Sequence, residues 1–157
     1  MKVLAIDGRS GSGKTDLADR LAVALDAVVV RLDEHYEGWR GLEAGIAHVR
    51  DIMAALRDGR EGSAPAWDWH SSSPGAPITY RPAPVVIVEG VGAGALDLAE
   101  FVDVLVWVEA PDEVRRERAL ARDGETFAPW WDTWAQQEDA YLARHRPQDR
   151  ATVHHVA

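Results

Sequence analysis

A chain of 157 residues with 46% hydrophobic content is long enough for one domain with its own core. It has no cysteine, which excludes disulfides and thiol catalysis and makes the cytoplasm the expected compartment. The formal charge of -9 argues against backbone-driven binding of a nucleic acid polymer, although a local basic site for a nucleotide fits on an acidic surface.

Met1-Lys2 leads directly into an apolar run, Val3 to Ile6, with no signal-peptide pattern; the run reads as a buried strand. Asp16 to Leu25 has the period of an amphipathic helix, and Ala27 to Leu32 reads as a second strand ending at Asp33. A longer helix is expected from about Leu42 to Leu56, where Ile46, Val49, Ile52, Met53 and Leu56 recur at near-helical spacing. Residues 59–84 are rich in Ser, Gly and Pro but carry a Trp-Asp-Trp cluster, so they read as an ordered excursion. Pro84 to Val88 and Val102 to Val108 are the third and fourth strands, the third ending in Glu89-Gly90. Pro111 opens a charged helix from Asp112 to about Arg122, and another helix should run from about Trp130 to Arg144, closed by Pro147. Ala151 to Val156 reads as a fifth strand. Apolar strands alternating with helices imply a parallel sheet covered on both faces. No run approaches the roughly 20 apolar residues that span a bilayer, so no membrane partner is expected.

The most informative segment joins the first strand to the first helix. Gly8, Arg9, Ser10, Gly11, Ser12, Gly13, Lys14 and Thr15 fit the phosphate-binding pattern G-x-x-x-x-G-K-[ST] in its proper strand–loop–helix setting. The glycines let the backbone N–H groups turn inward, and the helix N-terminus adds partial positive charge under a polyphosphate. Lys14 reaches terminal phosphates and the Thr15 hydroxyl can meet Mg²⁺. ATP and Mg²⁺ are therefore the expected cofactors. The chain has no asparagine, which excludes the guanine-reading Asn-Lys-x-Asp motif of regulatory GTPases. No LSGGQ-like signature of a transporter ATPase is present either. Acidic residues at the ends of strands two and three fall where open parallel sheets bind ligands.

In order along the chain, these segments resemble the small P-loop kinases grouped with uridine kinase (uridine/cytidine kinase) and phosphoribulokinase. Beyond the loop, Leu32-Asp-Glu-His-Tyr36 resembles an Asp-x-Phe-Tyr segment whose acid is the base for the acceptor hydroxyl. Pro65-Ala-Trp-Asp-Trp-His-Ser71 resembles a segment that shapes the acceptor pocket, and Val86-Ile-Val-Glu-Gly90 an acidic strand end near Mg²⁺. Arg115 to Asp123 is similar to an arginine-rich lid. The chain departs from the family at His35, which stands at an aromatic position, and at its end on the fifth strand, where related kinases continue into a loop that helps hold adenine.

The resemblance implies a three-layer α/β/α P-loop fold with a five-stranded parallel sheet in the order 2-3-1-4-5. It implies one kinase domain over residues 1–157, with the acceptor-side excursion at 59–84 and a lid at about 112–128. The expected reaction moves the γ-phosphate of ATP to a hydroxyl of a small molecule, a nucleoside first; another metabolite, or a module that only binds or slowly hydrolyses ATP, is the alternative. A homodimer is compatible with the sequence. Asp33 is the expected general base, or else a turn-forming Asp; Glu89 holds Mg²⁺ or orients the acceptor, or is a buried acid satisfied by amides. Arg115, Arg118 and Arg122 share one helix face and read as a phosphate lid or as a solvated charged face. Tyr36, Trp39, Trp67, Trp69, Asp68 and His70 are acceptor-side candidates, against a hydrophobic cluster and turn residues. Asp7 reads as a structural hydrogen-bond partner or else as a member of the Mg²⁺ shell, and Trp130, Trp131 and Trp134 as anchors for the last helix.

Overall fold

The computed structural model describes residues 1–157. Its main sheet is built from β1 (Lys2–Asp7), β2 (Val28–Arg31), β5 (Val85–Glu89), β6 (Val104–Glu109) and β7 (Val153–Val156). All its pairings are parallel, in the order β2-β5-β1-β6-β7. Two further strands, β3 (Gly62–Asp68) and β4 (Ser73–Tyr80), form a separate antiparallel hairpin. The hairpin shifts the numbering: counted within the main sheet alone, the order is the expected 2-3-1-4-5.

Because side chains alternate along a strand, the sheet buries two faces. Val3, Ala5, Val86 and Val88 belong to one core with α2 (Leu42–Arg57) and α4 (Trp131–His145). Ile6, Ile87, Val106 and Val108 belong to the other, where Leu17, Ala18 and Leu21 of α1 (Lys14–Leu25) pack. Helices on both sides make the three layers. The α2 stripe read from the sequence (Ile46, Val49, Ile52, Met53, Leu56) is buried throughout.

The elements differ from the sequence expectation in three places. The second strand stops at Arg31, and Leu32–Glu34 turn into a 3-10 helix that carries Asp33 out of the sheet. The excursion is the β3–β4 hairpin, which packs against α2 at Gly62; a Cβ there would lie 2.7 Å from the Ile52 carbonyl oxygen. The charged helix α3 (Asp112–Asp123) breaks at Gly124 into two 3-10 turns before α4 begins at Trp131. A short α5 (Pro147–Arg150) joins α4 to β7.

Candidate active site

The site forms at the carboxyl ends of β1, β2 and β5. At the end of β1, Asp7 is fully buried and accepts hydrogen bonds from the amides of Gly8 (2.7 Å), Gly92 (3.3 Å) and Gly94 (2.8 Å) and from the Tyr141 hydroxyl (2.5 Å). Burial raises its pKa, against the lowering effect of these donors. Asp7 thus ties the loop's entrance to the segment after β5, in line with a structural role.

The loop that follows lies against β6 and α3. A Cβ on Gly8 would stand 2.3 Å from the Val108 carbonyl oxygen, and one on Gly11 2.1 Å from that of Arg115. Gly11 also has φ +77, which a side chain disfavours. Within the loop, the Ser10 amide is held by Glu138 (2.8 Å) and the Ser12 amide by the Arg9 carbonyl (3.2 Å). The amides of Gly11, Gly13, Lys14 and Thr15 make no hydrogen bond within the chain. They stand at the N-terminus of α1, an arrangement suited to a polyphosphate.

Lys14 is 7% exposed, and its Nζ donates to the Arg9 carbonyl (3.0 Å). Burial lowers its pKa, opposed by the charges of Glu89, Glu138 and Asp7. The Thr15 hydroxyl donates to Oε1 of Glu89 at 3.5 Å, while Oε2 accepts from Arg31 at 3.1 Å. Burial raises the Glu89 pKa, with Lys14 the strongest opposing charge. Thr15 and Glu89 are two oxygen donors side by side, a set that fits Mg²⁺, which commonly takes one or two protein ligands beside water and phosphate oxygens.

A cavity of about 640 Å³ opens over these groups. It is lined on the phosphate side by Ser10, Gly11, Lys14, Thr15 and Glu89, and beyond them by Asp33, Tyr36, Trp39, Trp69, Phe127 and Trp134. The aromatic residues form one continuous wall. Trp39 lies 4.7 Å from Trp69 and 4.8 Å from Phe127, and Tyr36 lies 4.8 Å from Trp134, centroid to centroid. The Trp69 indole N–H donates to the Asp33 carbonyl (3.3 Å), and the Tyr36 hydroxyl donates to that of Val91 (2.6 Å). The first bond ties the wall to the turn that carries Asp33, the second to the segment after β5.

Other expected residues stand elsewhere. Trp67 faces Gly38, and Asp68 accepts from the amides of His70 (2.9 Å) and Ser71 (3.3 Å), which closes the hairpin turn. Asp68 and His70 are exposed there and do not line the cavity. Of the three arginines expected to share a lid, only Arg122 lines the cavity, paired with Asp123 at 2.8 Å. Arg118 is exposed, with a guanidinium nitrogen 3.8 Å from where a Cβ on Gly13 would stand. Arg115 is buried beneath the loop, donating to the Ser10 carbonyl (3.1 Å) and to Asp112 (2.6 Å). Arg9 turns away to α4, where it meets Glu138 (2.9 Å) and Asp139 (2.7 Å). Ser12 is fully buried, its Oγ without a partner.

Three further participants were not foreseen. Arg31 links Glu89 to Asp19 of α1, Phe127 stacks on Trp39, and Glu138 holds the loop. Trp134, foreseen as a core anchor, also forms cavity wall. The helical spacing of Trp134, Glu138 and Tyr141 was readable in the sequence, but what that stripe faces was not.

A family profile described as "Phosphoribulokinase / Uridine kinase family" matches residues 45–152. A uridine kinase of Macrococcus caseolyticus is 29% identical over 169 aligned positions, which cover 92% of this chain and 78% of the relative. A uridine kinase of Borrelia duttonii is 23% identical, covering 78% of this chain and 68% of its own length. Among solved structures, one described as a possible uridine kinase from Bacillus stearothermophilus superimposes with a TM-score of 0.72 at 23% identity, over 98% of this chain and 88% of that one.

Proposed function

The chain belongs to the phosphoribulokinase/uridine kinase family, and from that premise we propose that it transfers the γ-phosphate of Mg-ATP to a hydroxyl of a small, uncharged, ring-bearing acceptor, a nucleoside first. One observation carries the reading: a single cavity is lined at one end by Lys14, Thr15 and Glu89 and at the other by Asp33 and the aromatic wall. A nucleotide sensor needs only the first end.

Phosphoryl transfer asks for in-line positioning and for neutralisation of charge on the phosphoryl oxygens. Lys14 and the free loop amides supply fixed positive charge; Mg²⁺ beside Thr15 and Glu89, when bound, supplies the rest. Asp33 is the general base. It sits on a turn rather than in a strand, its carboxylate is exposed to the cavity, and it accepts the proton that leaves the acceptor hydroxyl. The aromatic wall gives an acceptor ring a rigid apolar surface. Arg31 and Arg122, the other cations on the lining, are already paired with carboxylates, which favours an uncharged acceptor over a phosphorylated one.

The test is ADP release from Mg-ATP with uridine, cytidine, a sugar and a sugar phosphate offered separately, using wild type, Lys14→Ala and Asp33→Asn. Acceleration by a nucleoside that both variants lose supports the proposal. Acceleration by the sugar phosphate alone would overturn the uncharged acceptor. A slow rate that no acceptor raises and Asp33→Asn leaves unchanged would replace transfer by hydrolysis.

A further inference from the structure

The buried face of α4 runs along the whole site. Trp134, Glu138, Tyr141 and His145 follow one another at helical spacing, and all four are buried. Trp134 lines the acceptor end of the cavity, Glu138 holds the phosphate loop, and Tyr141 holds Asp7. His145 accepts from the Leu96 amide at 3.1 Å.

Glu138 is 2% exposed and is surrounded by donors. Its Oε1 accepts from the Ser10 amide (2.8 Å) and the Trp134 indole (3.0 Å), and its Oε2 from Arg9 (2.9 Å). The same indole N–H also reaches the Ser10 hydroxyl at 2.8 Å. Lys14 in turn donates to the Arg9 carbonyl. The carboxylate therefore grips the two residues that precede the four free amides, and one of those two carries the carbonyl on which Lys14 rests. Arg115 holds the Ser10 carbonyl at 3.1 Å, in the same peptide plane as the Gly11 amide, so with Glu138 on the Ser10 amide the chain is pinned on both sides of the Ser10 Cα.

We infer that Glu138 is a positioning residue for the phosphate loop, and that the Trp134 indole ties the loop to the acceptor wall. The inference rests on the phosphate-loop reading of residues 8–15, but it needs no identified acceptor. Glu138 decides which amides face the anion: it draws the Ser10 N–H out of the cradle and leaves those of Gly11, Gly13, Lys14 and Thr15 in it. Trp134, one turn earlier on α4, presents its ring to the cavity and its N–H to Ser10, so the loop and the acceptor wall move together.

The experiment measures Mg-ADP binding by calorimetry, and thermal melting, on wild type, Glu138→Ala, Trp134→Phe, Ser10→Ala, the Trp134→Phe/Ser10→Ala double variant and Lys14→Ala. Glu138→Ala is expected to weaken Mg-ADP at least tenfold at a temperature where it is folded. Trp134→Phe and Ser10→Ala should each weaken it several-fold, and the double variant no more than the weaker-binding single one, since both remove the same bond. A merely structural contact would lower the melting temperature and leave the affinity of the folded protein unchanged. Affinities within twofold of wild type in Glu138→Ala and Trp134→Phe would overturn the inference. Should Glu138→Ala fail to fold, the Trp134→Phe/Ser10→Ala cycle decides alone, additive effects counting against it. If Lys14→Ala also binds like wild type, the phosphate-loop reading has failed; if only Lys14→Ala loses binding, this inference alone has.

Discussion

Arg31 and Glu89 are register partners on adjacent parallel strands, and the guanidinium of one lies 3.1 Å from the carboxylate of the other. The pair closes the sheet end beside Thr15, yet burial still leaves the Glu89 pKa above its ordinary value of 4.5. A carboxyl raised in this way binds more protons in the folded than in the unfolded chain. Its stabilising contribution is full below pH 4.5 and is lost as pH climbs through the raised value. Glu89→Gln removes that loss while keeping an oxygen for Arg31. In the nucleotide-free protein, the melting temperature of Glu89→Gln relative to wild type should therefore rise from pH 4.5 towards neutrality. Calorimetry across pH 4 to 8 checks this, and a constant difference would contradict it.

Gly11 is the tightest point of the loop. An alanine there must adopt φ +77 and place its Cβ 2.1 Å from the Arg115 carbonyl oxygen, a backbone atom that cannot swing aside. The backbone conformation alone costs about 1–3 kcal/mol, and relief of the contact moves the loop away from α3. Gly11→Ala is expected to lower the melting temperature and to weaken Mg-ADP binding at least tenfold, where Gly59→Ala, with open space around its Cβ, leaves binding unchanged.

Tyr141 donates the only side-chain hydrogen bond that Asp7 receives. Tyr141→Phe leaves the buried carboxylate one donor short, a loss of about 1–3 kcal/mol. Removal of that donor raises the already elevated Asp7 pKa further, so the destabilisation is largest at neutral pH. It shrinks as falling pH protonates the folded-state carboxyl in both proteins. Urea denaturation of both proteins at pH 7 and pH 4 measures the difference.

Much of this arrangement was legible in the sequence, for physical reasons. The phosphate loop was, because its glycines answer to backbone contacts and its Lys-Thr to an anion and a cation. Four of the sheet strands were, because strands covered by helices are largely apolar; β7, at the sheet edge, reads Val-His-His-Val and is mostly exposed. The β3–β4 hairpin was not: Pro65, Pro74 and Pro77 lie within its strands, and its register slips between Pro65 and Trp67, so its pattern imitates a loop. Asp68 and His70 looked like acceptor ligands because of the tryptophans beside them, but they close the hairpin turn. Arg115 matched a lid by its spacing and lies under the phosphate loop, because the helix face it shares with Arg122 turns from buried to exposed along its length. Arg31, Phe127 and Glu138 could be found only through partners brought together by the fold.

His35, where the family has an aromatic residue, is 1% exposed and joins the hairpin to the Asp33 turn. Its Nδ1 lies 2.9 Å from the Pro65 carbonyl oxygen and its Nε2 3.0 Å from the Tyr80 hydroxyl, which donates to Glu34 at 3.1 Å. His35→Phe puts an aromatic there but removes both bonds, including the buried one to the Tyr80 hydroxyl, at a cost of about 1–3 kcal/mol. Hydrogen exchange should quicken in residues 62–80 while β1 and β5 stay protected. Uniform quickening would mean that the contact supports the whole fold rather than the hairpin.

The central claim is that Asp33 acts as the base at the acceptor end of a cavity whose other end holds Mg-ATP. The measurement that tests it most directly is phosphate transfer from Mg-ATP to uridine by wild type and Asp33→Asn, with Mg-ADP affinity determined on the same preparations. The account predicts that kcat falls by about 10²- to 10⁴-fold while Mg-ADP affinity stays within threefold. Equal rates in the two proteins, or phosphate released to water at a rate indifferent to any acceptor, would contradict it.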